Sequence, residues 1–112
     1  MKPVVYISGP MTGYENFNFA AFNEAADKLR RLGYPVVNPA DFGANPNATW
    51  KDCLVRDLNA MAACDVVLVL PGWKKSSGAK LEVHVARAYG TAVISYSDFY
   101  RKAEQNAVKE KA

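Results

Sequence analysis

The chain has 112 residues, half of them hydrophobic and 22% charged, with a formal net charge of +3. That is ordinary composition for one globular domain with one core. No apolar run approaches the roughly 18 to 20 residues of a membrane span, and the N-terminus has no apolar leader with a small-residue cleavage site. The chain is therefore expected to be cytoplasmic, with no membrane partner. Much of the positive charge lies in Arg101 to Lys111, where Glu104 and Glu110 partly balance it, and no basic stripe is interleaved with aromatics. Polymeric nucleic acid is thus not an expected partner, whereas a small anion is compatible with the charge.

The elements follow in chain order. Pro3 to Ser8 reads as a buried strand ended by Gly9-Pro10. After a loop, Asn18 is the expected N-cap of a helix reaching Leu32, with Phe22, Ala25, Ala26 and Leu29 on its apolar face and Gly33 as its stop. Tyr34 to Val37 reads as a second strand. Thr49 is the expected cap of a helix that reaches Ala63 and carries Asp52 in its first turn. Asp65 to Leu70 reads as a third, fully covered strand. A helix from about Gly78 to Tyr89 stops at Gly90, Thr91 to Ser95 is a fourth strand, and Asp98 to Ala112 is a polar helical tail. The division is a domain over 1–96 and a tail over 97–112.

Strands alternating with helices imply an α/β fold, a three-layer αβα sandwich with right-handed crossovers. The flavodoxin- or Rossmann-like strand order 2-1-3-4 is expected. In such a sheet the chain reverses direction between strands 1 and 3, and ligands bind beyond the carboxyl ends of the strands at that point. Ser8 to Glu15 and Pro71 to Ser77 should line the crevice.

Two carboxylates fall on helix faces that should be apolar. Asp57 shares a face with Trp50, Leu54, Leu58 and Met61, and Glu82 sits beside the stripe Leu81, Val85 and Ala88. A carboxylate facing a core is costly unless paired or hydrogen-bonded. Each alone is compatible with backbone capping or an ion pair. Together, on helices flanking strand 3, they suit cleavage of a glycosidic bond, where one carboxylate attacks the sugar carbon and the other handles the leaving group's proton. A place near a helix N-terminus is expected to keep Glu82 ionised, and apolar neighbours are expected to keep Asp57 protonated. Tyr6, near the carboxyl end of strand 1, is placed to orient Glu82.

Other residues are candidates for substrate binding. Gly9, Pro10 and Met11 open a small-residue loop that lets backbone amides approach a ligand. It has neither dinucleotide nor P-loop spacing. Ser76 and Gly78 open the third helix, where free amides and hydroxyls suit an anion or a sugar. Trp73 is a candidate for stacking on a base. Plain turns, N-capping and a lid over the sheet end would equally account for these residues. His84 faces away from Glu82 and reads as a structural or surface residue. Cys53 and Cys64 form no CxxC pair and lie apart from His84, so no zinc site is expected. Both read as small buried thiols rather than a disulfide.

Tyr6-Ile7-Ser8-Gly9-Pro10, Asp57-x7-Asp65, and Ser76-x-Gly78-x3-Glu82 after a strand resemble the nucleoside 2-deoxyribosyltransferase family. Its superfamily includes the 2'-deoxynucleoside 5'-monophosphate N-glycosidases. The resemblance covers about Met1 to Ile94. It is nearest to short phage and bacterial proteins that share Leu70-Pro71-Gly72-Trp73 followed by Ser76-x-Gly78-Ala79-x-Leu81-Glu82. By position it implies that Glu82 is a nucleophile forming a covalent deoxyribosyl intermediate, that Tyr6 orients it, and that Asp57 manages the proton on the base. Ser76 matches a position that is Asp in the transferases and Ser in the monophosphate hydrolases, which leans toward a nucleotide. The chain is shorter than those enzymes, and Lys80 replaces the usual small residue two before the nucleophile. The resemblance implies hydrolysis or base transfer on a deoxynucleoside or deoxynucleotide, no metal or organic cofactor, and a homodimer or higher homo-oligomer. The exposed apolar residues expected to serve that assembly are Trp73, Phe99 and Tyr100. The alternative is a catalytically silent protein that binds or sequesters a nucleotide.

Overall fold

A computed structural model describes residues 1–111. The strands are β1 (Val5–Ser8), β2 (Val36–Val37), β3 (Val66–Val69) and β4 (Ala92–Ser95), and the α-helices are α1 (Phe19–Arg31), α2 (Trp50–Ala62), α3 (Ser77–Ala88) and α4 (Tyr96–Lys111). All strand pairs are parallel and the order is β2-β1-β3-β4. The expected α/β fold and strand order are therefore present. β1 and β3 occupy the centre and every one of their residues is buried, which is why both read as apolar runs with little alternation.

Side chains of a strand alternate between its two faces. Val5 and Ile7, with Val66 and Leu68, face the layer formed by α1 and α4. Phe22, Ala25, Ala26 and Leu29 of α1 close that side, and all four are buried as their helical spacing predicts. Tyr6, Val67 and Val69 face the opposite layer, where Met61 of α2 and Val83 and Ala86 of α3 pack on them. Gly33 ends α1 at φ +90°, a left-handed conformation that glycine adopts without the Cβ penalty. Thr49 and Asp52 form the expected capping box of α2: Thr49 N–H donates to Asp52 Oδ2 at 2.9 Å and Asp52 N–H to Thr49 Oγ1 at 3.0 Å.

Several expectations are corrected. Asn18 occupies the N-cap position of α1 but makes no side-chain cap. Its Nδ2 donates to the Pro10 carbonyl at 2.9 Å, tying the start of α1 to the loop after β1. Trp50 is 55% exposed, because the first residue of α2 stands at the end of the sheet rather than over it. The inward line of α3 is Ala79, Glu82, Val83 and Ala86; Leu81 and Val85 are half-buried and Ala88 is exposed. Trp73, Phe99 and Tyr100 are not exposed: they pack against the two core layers. The exposed aromatics are instead Tyr14, Phe17, Phe42, Trp50 and Tyr89. Of the thiols, Cys64 is buried and Cys53 is only half-buried. His84 is exposed. No helix among the described residues is long and apolar enough to cross a membrane.

Candidate active site

The crossovers from β1 and from β3 diverge at the carboxyl ends of the central strands, and a cleft of about 1010 Å³ opens there. Its walls come from the loop after β1, the segment before α2 together with α2's first two turns, and the start of α3. Gly9 makes the junction of β1 and its loop possible: a Cβ there would lie 2.9 Å from Leu70 Cβ, closer than packed carbons approach.

Glu82 lines the cleft and is itself 6% exposed. Both of its oxygens are held. Tyr6 Oη donates to Glu82 Oε2 at 2.8 Å, and Ser8 Oγ donates to Glu82 Oε1 at 2.6 Å. Tyr6 and Ser8 are two residues apart on β1, so the pleat presents both hydroxyls to the same face. The strand thus acts as a two-pronged clamp on one carboxylate. Ser8 was expected only as the first residue of a crevice-lining segment, not as a partner of Glu82. Its signal is a polar residue at the end of a buried strand, in register with Tyr6.

Burial pushes Glu82 up to about 7, against the Ser8 and Tyr6 hydrogen bonds, which lower it; the nearby Asp57 adds to the rise. This corrects the expectation that a helix terminus would hold Glu82 well ionised. Glu82 is the sixth residue of α3, beyond its first turn, where the terminal dipole has faded. Burial and the charge of Glu82 push the Tyr6 phenol far above its ordinary value, so it remains a donor. Asp57 is nearly buried. Burial raises its pKa, opposed by the Arg56 guanidinium, whose Nε donates to Asp57 Oδ1 at 3.0 Å.

Of the other expected residues, Gly9, Pro10, Met11, Ser76 and Gly78 line the cleft together with Asp57 and Glu82. Tyr6 lies beneath it, fully buried. Trp73 does not line it and packs on the α2–α3 core layer instead, because the short 3-10 turn Trp73–Lys75 folds the indole inward. Ser76 caps α3 by accepting from Ala79 N–H at 3.2 Å. Beside it Lys75 and Ser77 also face the cleft. Tyr14, Phe17 and Trp50 form an exposed aromatic rim. The rim segment carries three consecutive non-glycine residues, Asn16, Phe17 and Asn18, at φ 48°, 54° and 62°, each costing about 1 kcal/mol or more. Among the described residues no group of three or more His, Cys, Asp or Glu is arranged to hold a metal.

The sequence pattern of a domain of unknown function, DUF4406, matches residues 3–95. No curated protein sequence matches the chain. Among solved structures, the fold is similar to that of a 2-deoxyribosyltransferase from the psychrotolerant bacterium Bacillus psychrosaccharolyticus, with a TM-score of 0.63 and 17% sequence identity over 81% of this chain and 70% of that one. At that identity the likeness establishes a shared deoxyribosyltransferase-like fold.

Proposed function

This chain belongs to the DUF4406 family, and we propose that it cleaves the N-glycosidic bond of a 2'-deoxynucleoside or its 5'-monophosphate, with Glu82 as nucleophile. The observation that carries this reading is the clamped carboxylate at the floor of the cleft: both Glu82 oxygens are fixed by buried hydroxyls of β1. A carboxylate so fixed is pre-oriented, and each oxygen keeps a lone pair for bonding to carbon. Asp57 stands on the adjoining wall of the same cleft.

In the proposed reaction a Glu82 oxygen forms a bond to C1' as the C1'–N bond breaks. The electron pair of that bond moves into the base, and protonated Asp57 gives its proton to a base nitrogen. The ester between Glu82 and the sugar is then opened at C1' by water, which gives hydrolysis, or by a second base, which gives transfer. The incoming nucleophile's proton returns to Asp57. Of the reacting groups, Tyr6 and Ser8 touch the Glu82 carboxylate, and they act as positioning residues. Ser76, Ser77 and Lys75 at the start of α3 suit a 5'-phosphate. All of these residues fall within the expected domain over 1–96.

The test is release of free base from deoxynucleosides, deoxynucleoside 5'-monophosphates and their ribo counterparts, with Glu82→Ala alongside. The expected result is release by the wild type and a loss of about three orders of magnitude or more in the variant. An acceptor base added to the same panel separates transfer from hydrolysis. Folded wild-type protein that releases no base, with or without an acceptor, overturns the reading in favour of a nucleotide-binding protein without turnover.

A further inference from the structure

Arg56 has no part in the chemistry above, yet it lines the same cleft. Its side chain is one-third exposed. Nε is occupied by Asp57 Oδ1 at 3.0 Å, and Cζ lies 4.8 Å from the centroid of the Phe42 ring. The hydrogen bond to Asp57 and the aromatic face hold the guanidinium from two directions. Nε makes the only side-chain hydrogen bond of Arg56 among the described residues. The N–H groups on the two Nη atoms therefore remain to be satisfied by solvent or ligand. The wall that meets the leaving group thus presents a fixed set of donors beside the carboxylate that handles its proton.

On the reading of Glu82 and Asp57 given above, we infer that Arg56 determines base specificity, selecting a base that carries a carbonyl where leaving-group charge accumulates. When the C1'–N9 bond of a 6-oxopurine breaks, its electron pair is delocalised onto O6, and a guanidinium donates to O6 and N7 as a pair. The same charge stabilises the Asp57 carboxylate formed on proton transfer. Adenine places an amino donor at the O6 position, where it opposes the Arg56 donors and leaves them without an acceptor on the base. The predicted class is hypoxanthine or guanine over adenine.

The experiment compares deoxyinosine with deoxyadenosine, and each 5'-monophosphate, in wild type and Arg56→Gln. The wild type should favour the 6-oxo substrate by at least about tenfold in kcat/KM, and Arg56→Gln should bring the ratio to near one. Titration of free hypoxanthine and adenine by calorimetry is the second readout, with the same preference and the same loss in the variant. Equal or better use of deoxyadenosine, or a ratio unchanged by Arg56→Gln, overturns the inference. So does a loss confined to the monophosphates, which would make Arg56 a phosphate ligand, and so does failure of both free bases to bind a protein that shows no turnover. If Glu82→Ala keeps releasing base while the Arg56-dependent ratio persists, the nucleophile assignment fails and the specificity inference stands.

Discussion

The two faces of the central strands are built from alternate residues of the same four-residue segments; one is wholly apolar, and the other combines apolar packing with a buried carboxylate. Toward α1 and α4, β1 presents Val5 and Ile7 and β3 presents Val66 and Leu68, and these meet Phe22, Leu29 and Tyr96. Toward α2 and α3, β1 presents Tyr6 and Ser8, and these meet a carboxylate. One face removes apolar surface from water, which is the main favourable contribution to folding. The other also buries Val67 and Val69 against Met61, Val83 and Ala86, and in addition it buries Glu82, with Asp57 nearby, at an electrostatic cost. A four-residue strand can serve both ends because its side-chain period is two. Both faces contribute to stability, but the candidate chemistry lies on one of them, and substitutions should sort accordingly.

The largest effect is expected on the apolar face. Leu29 is fully buried there and does not line the cleft. Leu29→Ala should cost about 3 to 4 kcal/mol, a large part of a small domain's stability. Denaturant unfolding should show the loss, and base release per folded molecule should stay at the wild-type level. A drop in the activity of the folded fraction would break the separation of the faces.

On the polar face the sign reverses. Below pH 4.5 folded and unfolded chains both carry a proton on Glu82. Between its ordinary value of 4.5 and about 7 the folded chain keeps a proton that the unfolded chain has lost, so stability falls as pH rises. Above about 7 both are ionised and the loss is complete. The span corresponds to about 3 kcal/mol. Glu82→Gln should flatten this dependence and leave the variant more stable than wild type at pH 8, in thermal melts taken from pH 4 to 8. A wild-type Tm that holds steady or rises from pH 5 to 8, with no difference from the variant, would falsify the burial cost assigned to Glu82.

The apolar face was readable from sequence almost residue by residue. Phe22, Ala25, Ala26 and Leu29 follow the helical period, and β1 and β3 are continuous apolar runs. Parallel order and the position of the cleft followed from element alternation and the switch-point rule. The polar face was readable only in part. Asp57 and Glu82 stood out as charges on helix faces that should be apolar. Ser8 did not stand out, because its partner lies 74 positions away and a serine ending a strand is unremarkable alone. Periodicity put Trp50 in the core because it counts residues along a helix without knowing where the sheet beneath ends. The basicity of Glu82 depends on depth, and no local sequence feature reports depth.

The smallest of these effects probes the clamp itself. Ser8 is fully buried, and its hydrogen bond to Glu82 lowers the pKa of that carboxylate. The Oγ–Oε1 bond favours the ionised form, and hydrogen bonds to charged groups are worth about 1.5 to 3 kcal/mol. On the proposed mechanism Glu82 attacks as a carboxylate, so kcat/KM should rise with pH through about 7 in the wild type. Ser8→Ala removes one prong and should move that limb upward, to about pH 8 or above. Activity at pH 7 should fall by about tenfold relative to wild type, and the ratio of variant to wild type should return toward one as pH rises above the shifted limb. Tyr6 still holds Oε2 in this variant, which is why the loss should be partial. An equal loss at every pH, with the limb unmoved, would mean that Ser8 fills space beneath the site without setting the protonation state of Glu82.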